Sequence, residues 1–209
     1  MKTLILDGIF VFDDLTSDYD NKRSIDIIYE KAKKDNFDRY ILIQNGKISS
    51  IPDGIKNVTI DSTKIKDIFE IIQKEIKQSN EVIFLDVASP FYDSEFINSM
   101  FERHNNYLAD YTYSIGYPLG LVPTLVKGEI IKELYNLVSE DHTITKEYLF
   151  YALSKDINSF DIETFISNED LRIYRLKFGA NDVGEKILTK NIFDQFGDSY
   201  SYDEINSHL

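Results

Sequence analysis

The sequence predicts an α/β domain, because strand-like and helix-like segments alternate along the chain. Short apolar runs at residues 3–6, 39–43 and 81–85 are typical of strands buried on both faces, and 58–60 is a further strand candidate. Between them, apolar residues recur at helical spacing, most clearly at Ile65, Ile68, Phe69, Ile72 and Ile76. We therefore expect a mainly parallel sheet covered by helices.

The remaining elements follow from caps and periodicity. Ser24 is expected to cap a helix over 24–34, and Asp93 a helix that carries His104 inward. The second half predicts strands over 109–114, 121–126, 160–166 and 171–178, and helices over 128–138, 145–155 and 185–196. We expect one domain over residues 1–196, followed by a polar tail or linker over 197–209.

Composition excludes several classes of function. Thirty-six Asp and Glu against 23 Lys and Arg give a net charge of −13, so phosphate backbones and anionic membranes would be repelled, and neither nucleic acid nor membrane is expected as a partner. The chain has no cysteine, which excludes thiol catalysis and zinc–thiolate sites. The N-terminal apolar run is interrupted at Asp7 and Gly8, which indicates a strand rather than a signal peptide and favours a cytoplasmic location.

Two sets of residues raise the question of a metal site. An acidic run comprises Asp13, Asp14, Asp18 and Asp20, but it lacks the glycine and glutamate spacing of a calcium loop, so a solvated loop is the preferred interpretation. The three histidines are His104, His142 and His208, and none has a second ligand at metal-binding spacing. No metal is therefore predicted at either set.

Five features in order carry a family resemblance. They are residues 90–93 before a helix, Ala-Asp-Tyr at 109–111, Tyr-Pro-Leu-Gly-Leu at 117–121, Asp-His-Thr-Ile-Thr at 141–145 and the apolar segment 171–178. Their order and spacing resemble those of the nucleotide-sugar cytidylyltransferases of the spore-coat-polysaccharide type. The resemblance implies a three-layer α/β/α sandwich of the nucleotide-diphospho-sugar transferase (GT-A-like) type, with a mainly parallel mixed sheet.

The family's catalytic groups do not carry over to this chain. The resemblance implies a Gly/Arg/Lys-rich loop after the first strand, but here no Lys or Arg precedes Lys22 in that region. The two family aspartates that hold Mg²⁺ fall on Ala88 and Gly179, and a further acidic position is Val122. We therefore expect a non-catalytic nucleotidyltransferase-like domain that serves as a ligand-binding or docking module, with no cofactor.

The candidate ligand-binding residues surround the carboxyl ends of the first and fourth predicted strands, where open α/β sheets bind ligands. They are Asp7, Gly8, Lys22, Arg23, Ser89 and Tyr117. The expected partner is a nucleotide or sugar ligand. Whether any catalysis survives is left open by the sequence.

Two alternatives stand beside this hypothesis. One is an active divergent sugar nucleotidyltransferase or glycosyltransferase that holds Mg²⁺ on a displaced pair, Asp86 and Asp182, although Asp86 also fits a strand-end residue that hydrogen-bonds a turn. The other is a structural dimerisation module, a homodimer formed through an apolar patch of Leu119, Leu121, Val122 and Leu125.

A second, looser resemblance concerns the whole chain. Its Ile/Asn/Lys/Tyr-rich composition and polar ending look similar to the degenerate nucleotidyltransferase-like segment at the front of spirochaetal radical-SAM proteins with a SPASM domain. This resemblance implies a docking role within a larger radical-SAM enzyme.

Overall fold

The computed structural model describes residues 1–11, 13, 19–76, 81–180, 182–197 and 199–209. Within them, seven strands form one sheet in the order β3-β2-β1-β4-β6-β5-β7. The strands are β1 (Lys2–Gly8), β2 (Arg39–Gln44), β3 (Ile55–Thr59), β4 (Glu81–Asp86), β5 (Tyr111–Ile115), β6 (Thr124–Lys127) and β7 (Ile162–Ile166).

The helices flank this sheet. They are α1 (Ser24–Ala32), α2 (Ile65–Ile76), α3 (Ser94–Asn106), α4 (Ile131–Leu137), α5 (Tyr148–Leu153), α6 (Val183–Phe196) and α7 (Tyr202–His208). Short 3₁₀ turns occur at Gly128–Ile130, Ile157–Ser159 and Arg172–Tyr174. In the described part of the chain, no helix combines the length and the apolar character that crossing a bilayer requires.

The sheet is mixed, as expected from the sequence. Strands β3, β2, β1 and β4 pair in parallel, whereas β6 runs antiparallel to both β4 and β5. Strand β7 then pairs in parallel with β5. The prediction of a mainly parallel sheet with an antiparallel addition from the second half of the chain is confirmed.

Alternate side chains of the central strands enter two separate cores. Leu4 and Leu6 of β1 pack with Ile25 and Ile28 of α1, on the side of the sheet that also holds α3. Ile5 points to the opposite side and packs in the core formed with α2, α4 and α5. Successive residues of a strand face opposite sides of a sheet, so both faces are covered by helices. The three-layer α/β/α fold is therefore confirmed.

The C-terminal residues form a third core rather than a polar tail or linker. Tyr202 and Ile205 of α7 are fully buried beside Phe91 and Phe178. A capping box at Ser201 and Glu204 begins the helix. The expectation of a linker over 197–209 is thus corrected, because two apolar side chains in a mostly polar segment are enough to anchor one short helix.

Two local predictions were wrong. The segment 171–178 is not a strand: it contains a 3₁₀ turn, the left-handed backbone of Arg175 (φ 51°) interrupts any extended run, and Ile173 remains 80% exposed. The residue preceding α1 is Arg23, and Ser24 lies inside the helix. The Ser24 hydroxyl instead donates to the carbonyl of Val87, 2.6 Å away, which ties α1 to the turn after β4.

Candidate functional site

Two aspartates end the central parallel strands side by side. Asp7 of β1 and Asp86 of β4 are Cα partners in the sheet register. Each closes a turn, since Asp7 Oδ1 accepts from the N–H of Ile9 (3.1 Å) and Asp86 Oδ1 accepts from the N–H of Ala88 (2.9 Å). The turn interpretation of Asp86 is therefore correct for one oxygen, which leaves Oδ2 to face other groups.

Lys146 supplies the positive charge at these strand ends. Its Nζ lies 2.8 Å from Asp86 Oδ2 and 3.6 Å from Glu185 Oε2, and it donates to the carbonyl of Phe178 at 3.2 Å. The Lys146 and Asp86 side chains are 18% and 13% exposed. Burial acts to lower the pKa of Lys146, but Asp86 and Glu185 outweigh it and the pKa lies above its usual value. Lys146 is therefore an ammonium ion.

Asp7 is in a less favourable environment than its neighbour. Burial, with a further contribution from the negative charge of Asp86, raises the pKa of Asp7 to about 7. The N–H of Ile9 and the charge of Lys146 only partly offset these effects. Beside it the hydroxyl of Tyr148 is fully buried, and burial together with the charge of Asp7 raises the pKa of that phenol. Lys146 thus forms an ion pair with Asp86, whereas the pKa of Asp7 stays raised.

These groups line a recess that continues into a larger cleft. The strand-end recess, about 100 Å³, is lined by Asp7, Asp86, Lys146 and Tyr148 among others. The adjoining cavity, here called the tyrosine cleft, has a volume of about 610 Å³ and is lined by Tyr111, Tyr113 and Tyr117. Lys146 lines both spaces. A cleft of this volume is in the size range of small-molecule sites.

The backbone that lines both the recess and the tyrosine cleft requires a glycine at position 120. Gly120 has a φ of +86°, and a Cβ at this position would lie 2.2 Å from the carbonyl oxygen of Phe178 and 3.3 Å from Asp86 Oδ2. The same Phe178 carbonyl accepts from Lys146. The turn 117–121 therefore brings the backbone close to the Lys146–Asp86 ion pair.

Comparison with solved structures identifies the architecture. No family model and no curated protein matches the sequence. A cytidylyltransferase from Leptospira borgpetersenii superposes with a TM-score of 0.73 at 10% identity, covering 99% of this chain and 92% of that one. The 4-diphosphocytidyl-2C-methyl-D-erythritol synthase of Anaerococcus prevotii gives 0.64 at 12% identity, with 93% and 96% covered. A CMP:2-keto-3-deoxy-manno-octonic acid synthetase, complexed with CTP, gives 0.62 at 10% identity, with 93% and 98% covered.

The chain has the nucleotidyltransferase fold. The resemblance to a divergent nucleotide-sugar cytidylyltransferase is thus confirmed at the level of the fold. At these identities the likeness concerns architecture, and the chemistry must be argued from the residues present.

Within the nucleotidyltransferase fold of this chain, the remaining predicted site residues are scattered. Gly8 and Ser89 are buried behind the strand ends, where a Cβ on Gly8 would lie 3.1 Å from Val87. Tyr117 lines the tyrosine cleft, and its hydroxyl donates to Asp203 of α7. Burial and Asp203 raise the pKa of this phenol. Only Tyr117 of these three is placed to contact a ligand in the cleft.

The two cations expected to reach phosphate groups lie before and at the start of α1. Lys22 pairs with Glu30 at 2.8 Å, and Arg23 holds Asp26 through two nitrogens while donating to the carbonyl of Ser50. Neither lines the recess or the cleft. Both side chains thus contact neighbouring protein groups and do not line the space in which a phosphate would bind.

The residues at the strand ends do not fit a magnesium ion. Asp182 does not join Asp86: its Oδ1 accepts from the N–H of Glu185, 2.8 Å away, and caps α6. The oxygen of Asp86 that faces the recess is paired with Lys146, and the other closes a turn. Among the described residues, no group of three or more His, Asp or Glu side chains is arranged to hold a metal. An ammonium group already paired with this carboxylate disfavours a second cation there.

The other candidate features have structural roles. Asp13 pairs with Lys186 at 2.9 Å and Asp20 is exposed, whereas Asp14 and Asp18 lie outside the described residues. In the patch predicted for dimerisation, Leu121 and Leu125 are fully buried, whereas Leu119 and Val122 are half-buried and line the cleft. The four residues therefore do not form one exposed patch, and a homodimer stays a prediction.

Sequence reasoning missed Lys146, Tyr148 and Glu185. One signal was available, because Lys146 directly follows the motif 141–145 and precedes a short helix. Its partner Asp86 lies far away in the chain, so only the three-dimensional arrangement shows that the two side chains form an ion pair.

Proposed function

We propose that this chain is a ligand-binding nucleotidyltransferase-fold domain that does not transfer a nucleotidyl group, and that its ligand is a nucleotide or sugar carrying a phosphate. The observation that carries the proposal is the largely buried Lys146–Asp86 ion pair. It occupies the carboxylate at which a divalent cation would act, and it leaves the adjacent tyrosine cleft open.

The charge of the tyrosine cleft supports an anionic ligand. Although the chain carries a net charge of −13, the cleft is lined by Lys146, Arg172, Arg175 and Lys177, with Glu147 as the acidic lining residue. Arg172 is paired with Asp170. Across the described ranges, Arg175 and Lys177 form no ion pair with a carboxylate. Two exposed cations at the mouth of a cleft attract a phosphate-bearing molecule.

The aromatic lining supports a ligand with a flat or apolar face. Tyr113 and Phe150 are half-buried, and their ring centroids lie 5.3 Å apart. The buried ring of Tyr111 packs against Tyr113 at 5.9 Å. Both a pyrimidine and the apolar face of a sugar pack well on such rings. The cleft thus combines ring surfaces with cations, a pattern that suits either ligand.

Calorimetry with three probes tests this function. Glucose 1-phosphate and CMP, each measured in EDTA, distinguish a sugar from a nucleotide ligand, and CTP with Mg²⁺ tests for a triphosphate site. We expect binding of glucose 1-phosphate or CMP that weakens at least tenfold in the double variant Arg175→Gln/Lys177→Gln. The control Lys74→Ala, on the exposed surface of α2, should bind like the wild type. Absence of binding by both monophosphates would refute the proposal.

An active divergent transferase is the second candidate. It is favoured by the in-register pair of Asp7 and Asp86, since a carboxyl group with a pKa of about 7 suits a general base. Release of pyrophosphate from CTP and a sugar 1-phosphate, abolished by Asp7→Asn, would establish it and displace the first proposal.

A place within a larger radical-SAM enzyme stays a prediction, which a C-x₃-C-x₂-C motif in the same reading frame would support.

A further inference from the structure

Three separate segments of the chain converge on the ammonium of Lys146. Asp86 comes from the end of β4, Glu185 from the first turn of α6 and the Phe178 carbonyl from the segment before α6. The Glu185 side chain is 9% exposed. Buried carboxylates must be neutralised, and Lys146 is the cation that these groups share.

The surroundings of this ammonium are those of a hard cation. Three oxygen atoms lie within 3.6 Å of Nζ, namely Asp86 Oδ2, the Phe178 carbonyl oxygen and Glu185 Oε2. Carboxylate and carbonyl oxygens are the donors that Mg²⁺ and Mn²⁺ select, and an ammonium group has three hydrogens to direct at them. The lysine thus makes the contacts that a divalent ion would otherwise make.

We propose that the ammonium of Lys146 takes the place of a divalent cation at the strand-end carboxylates, as a built-in counter-ion fixed between Asp86, Glu185 and the Phe178 carbonyl. The protein then has no divalent site at this position, and removal of the ammonium creates one. One consequence rests on the proposed function: a phosphate bound in the tyrosine cleft would contact Lys146 instead of a metal ion.

Mn²⁺ binding, measured by electron paramagnetic resonance and calorimetry, tests this assignment. We expect Lys146→Ala to bind one Mn²⁺ at least tenfold more tightly than the wild type, and Mn²⁺ to raise its melting temperature. The matched control is Lys127→Ala, because Lys127 also pairs with one carboxylate, Asp110, at 2.8 Å and donates to one carbonyl, that of Leu108. This control should gain no Mn²⁺ site.

The outcomes are decisive in both directions. Tight Mn²⁺ binding by the wild type, or no gain in Lys146→Ala, would overturn the proposal. Should that variant fail to fold in EDTA, it is refolded with Mn²⁺, and Lys146→Gln is treated in the same way. Recovery only with Mn²⁺ supports the proposal, and failure of both variants with the metal contradicts it.

The same measurements separate this assignment from the proposed function. Mn²⁺ binding is measured with no organic ligand present. Wild-type protein that binds neither glucose 1-phosphate nor CMP would therefore remove the proposed function, while a Mn²⁺ site gained by Lys146→Ala would still stand.

Discussion

Asp7 and Asp86 face each other as Cα partners at the ends of two parallel strands, and both accept a hydrogen bond from the backbone N–H two residues ahead. Two carboxylates this close cannot both be ionised without cost. Asp86 forms an ion pair with the Lys146 ammonium, whereas burial and the charge of Asp86 raise the pKa of Asp7 to about 7. The pair is therefore asymmetric.

The asymmetry predicts a pH-dependent stability. The pKa of Asp7 is raised on folding, so between about pH 4 and 7 the unfolded chain loses this proton while the folded protein keeps it, and stability falls as pH rises. Asp7→Asn mimics the protonated acid and removes this loss. We expect its stability relative to wild type to grow across that window, to on the order of 4 kcal/mol, and then to level off. Urea denaturation from pH 4.5 to 8 measures it; a difference that does not vary with pH contradicts the prediction.

Removal of the Asp86 charge should destabilise the protein and should not change its response to Mg²⁺. Asp86→Asn leaves Lys146 with Glu185 as its nearest remaining carboxylate, and we expect a loss of about 1–3 kcal/mol. Asp110→Asn breaks the more exposed pair with Lys127 and should cost less, about 1 kcal/mol.

Melting curves of the Asp86 variant with and without Mg²⁺ complete this test. About 10 mM Mg²⁺ should leave the melting temperature of both wild type and Asp86→Asn unchanged, because neither holds the ion. A Mg²⁺-dependent rise in the wild type that is absent from the variant would show that Asp86 is a metal ligand.

Gly120 should tolerate no side chain. Gly120→Ala combines a strained positive φ with a Cβ placed 2.2 Å from the Phe178 carbonyl, so we expect a loss of more than about 3 kcal/mol or failure to fold. Gly46→Ala is the matched control, since φ is +87° there and the nearest atom is 3.5 Å away. Its cost should be about 1–2 kcal/mol, from backbone strain alone. Equal losses in the two variants, measured by urea denaturation, would show that the Phe178 contact does not matter.

Asp93 should stabilise two helices at once. Its Oδ1 accepts from the N–H of Phe96 at the start of α3, and its Oδ2 accepts from the N–H of Tyr202 at the start of α7. Asp93→Ala removes a cap and leaves a buried N–H unpaired, at a cost of about 2–4 kcal/mol. Asp182→Ala removes only the cap of α6 and should cost about 1 kcal/mol. Hydrogen exchange in α7 should accelerate only in the Asp93 variant, and unchanged exchange there would refute the link.

Local sequence patterns predict most strands of the sheet and, at the site, the positions of Asp7 and Asp86. The apolar runs near Leu4, Leu42 and Ile83 required burial on both faces, and the stripe from Ile65 to Ile76 required a helix on one face. Asp7 and Asp86 were placed at one edge because parallel strands end together. The Asp93 cap was read correctly because a cap depends on residues only three positions apart.

The rest depended on contacts between distant parts of the chain. The sequence by itself determined the fold class, because hydrophobic periodicity is a local property of each element. Only the tertiary structure decided that Lys146 meets Asp86 and Glu185, and that Tyr202 and Ile205 turn a polar tail into helix α7. The physical reason is that an ion pair or a buried contact forms only between segments that the topology brings together. The spacing of residues along the chain does not show which distant segments will be neighbours.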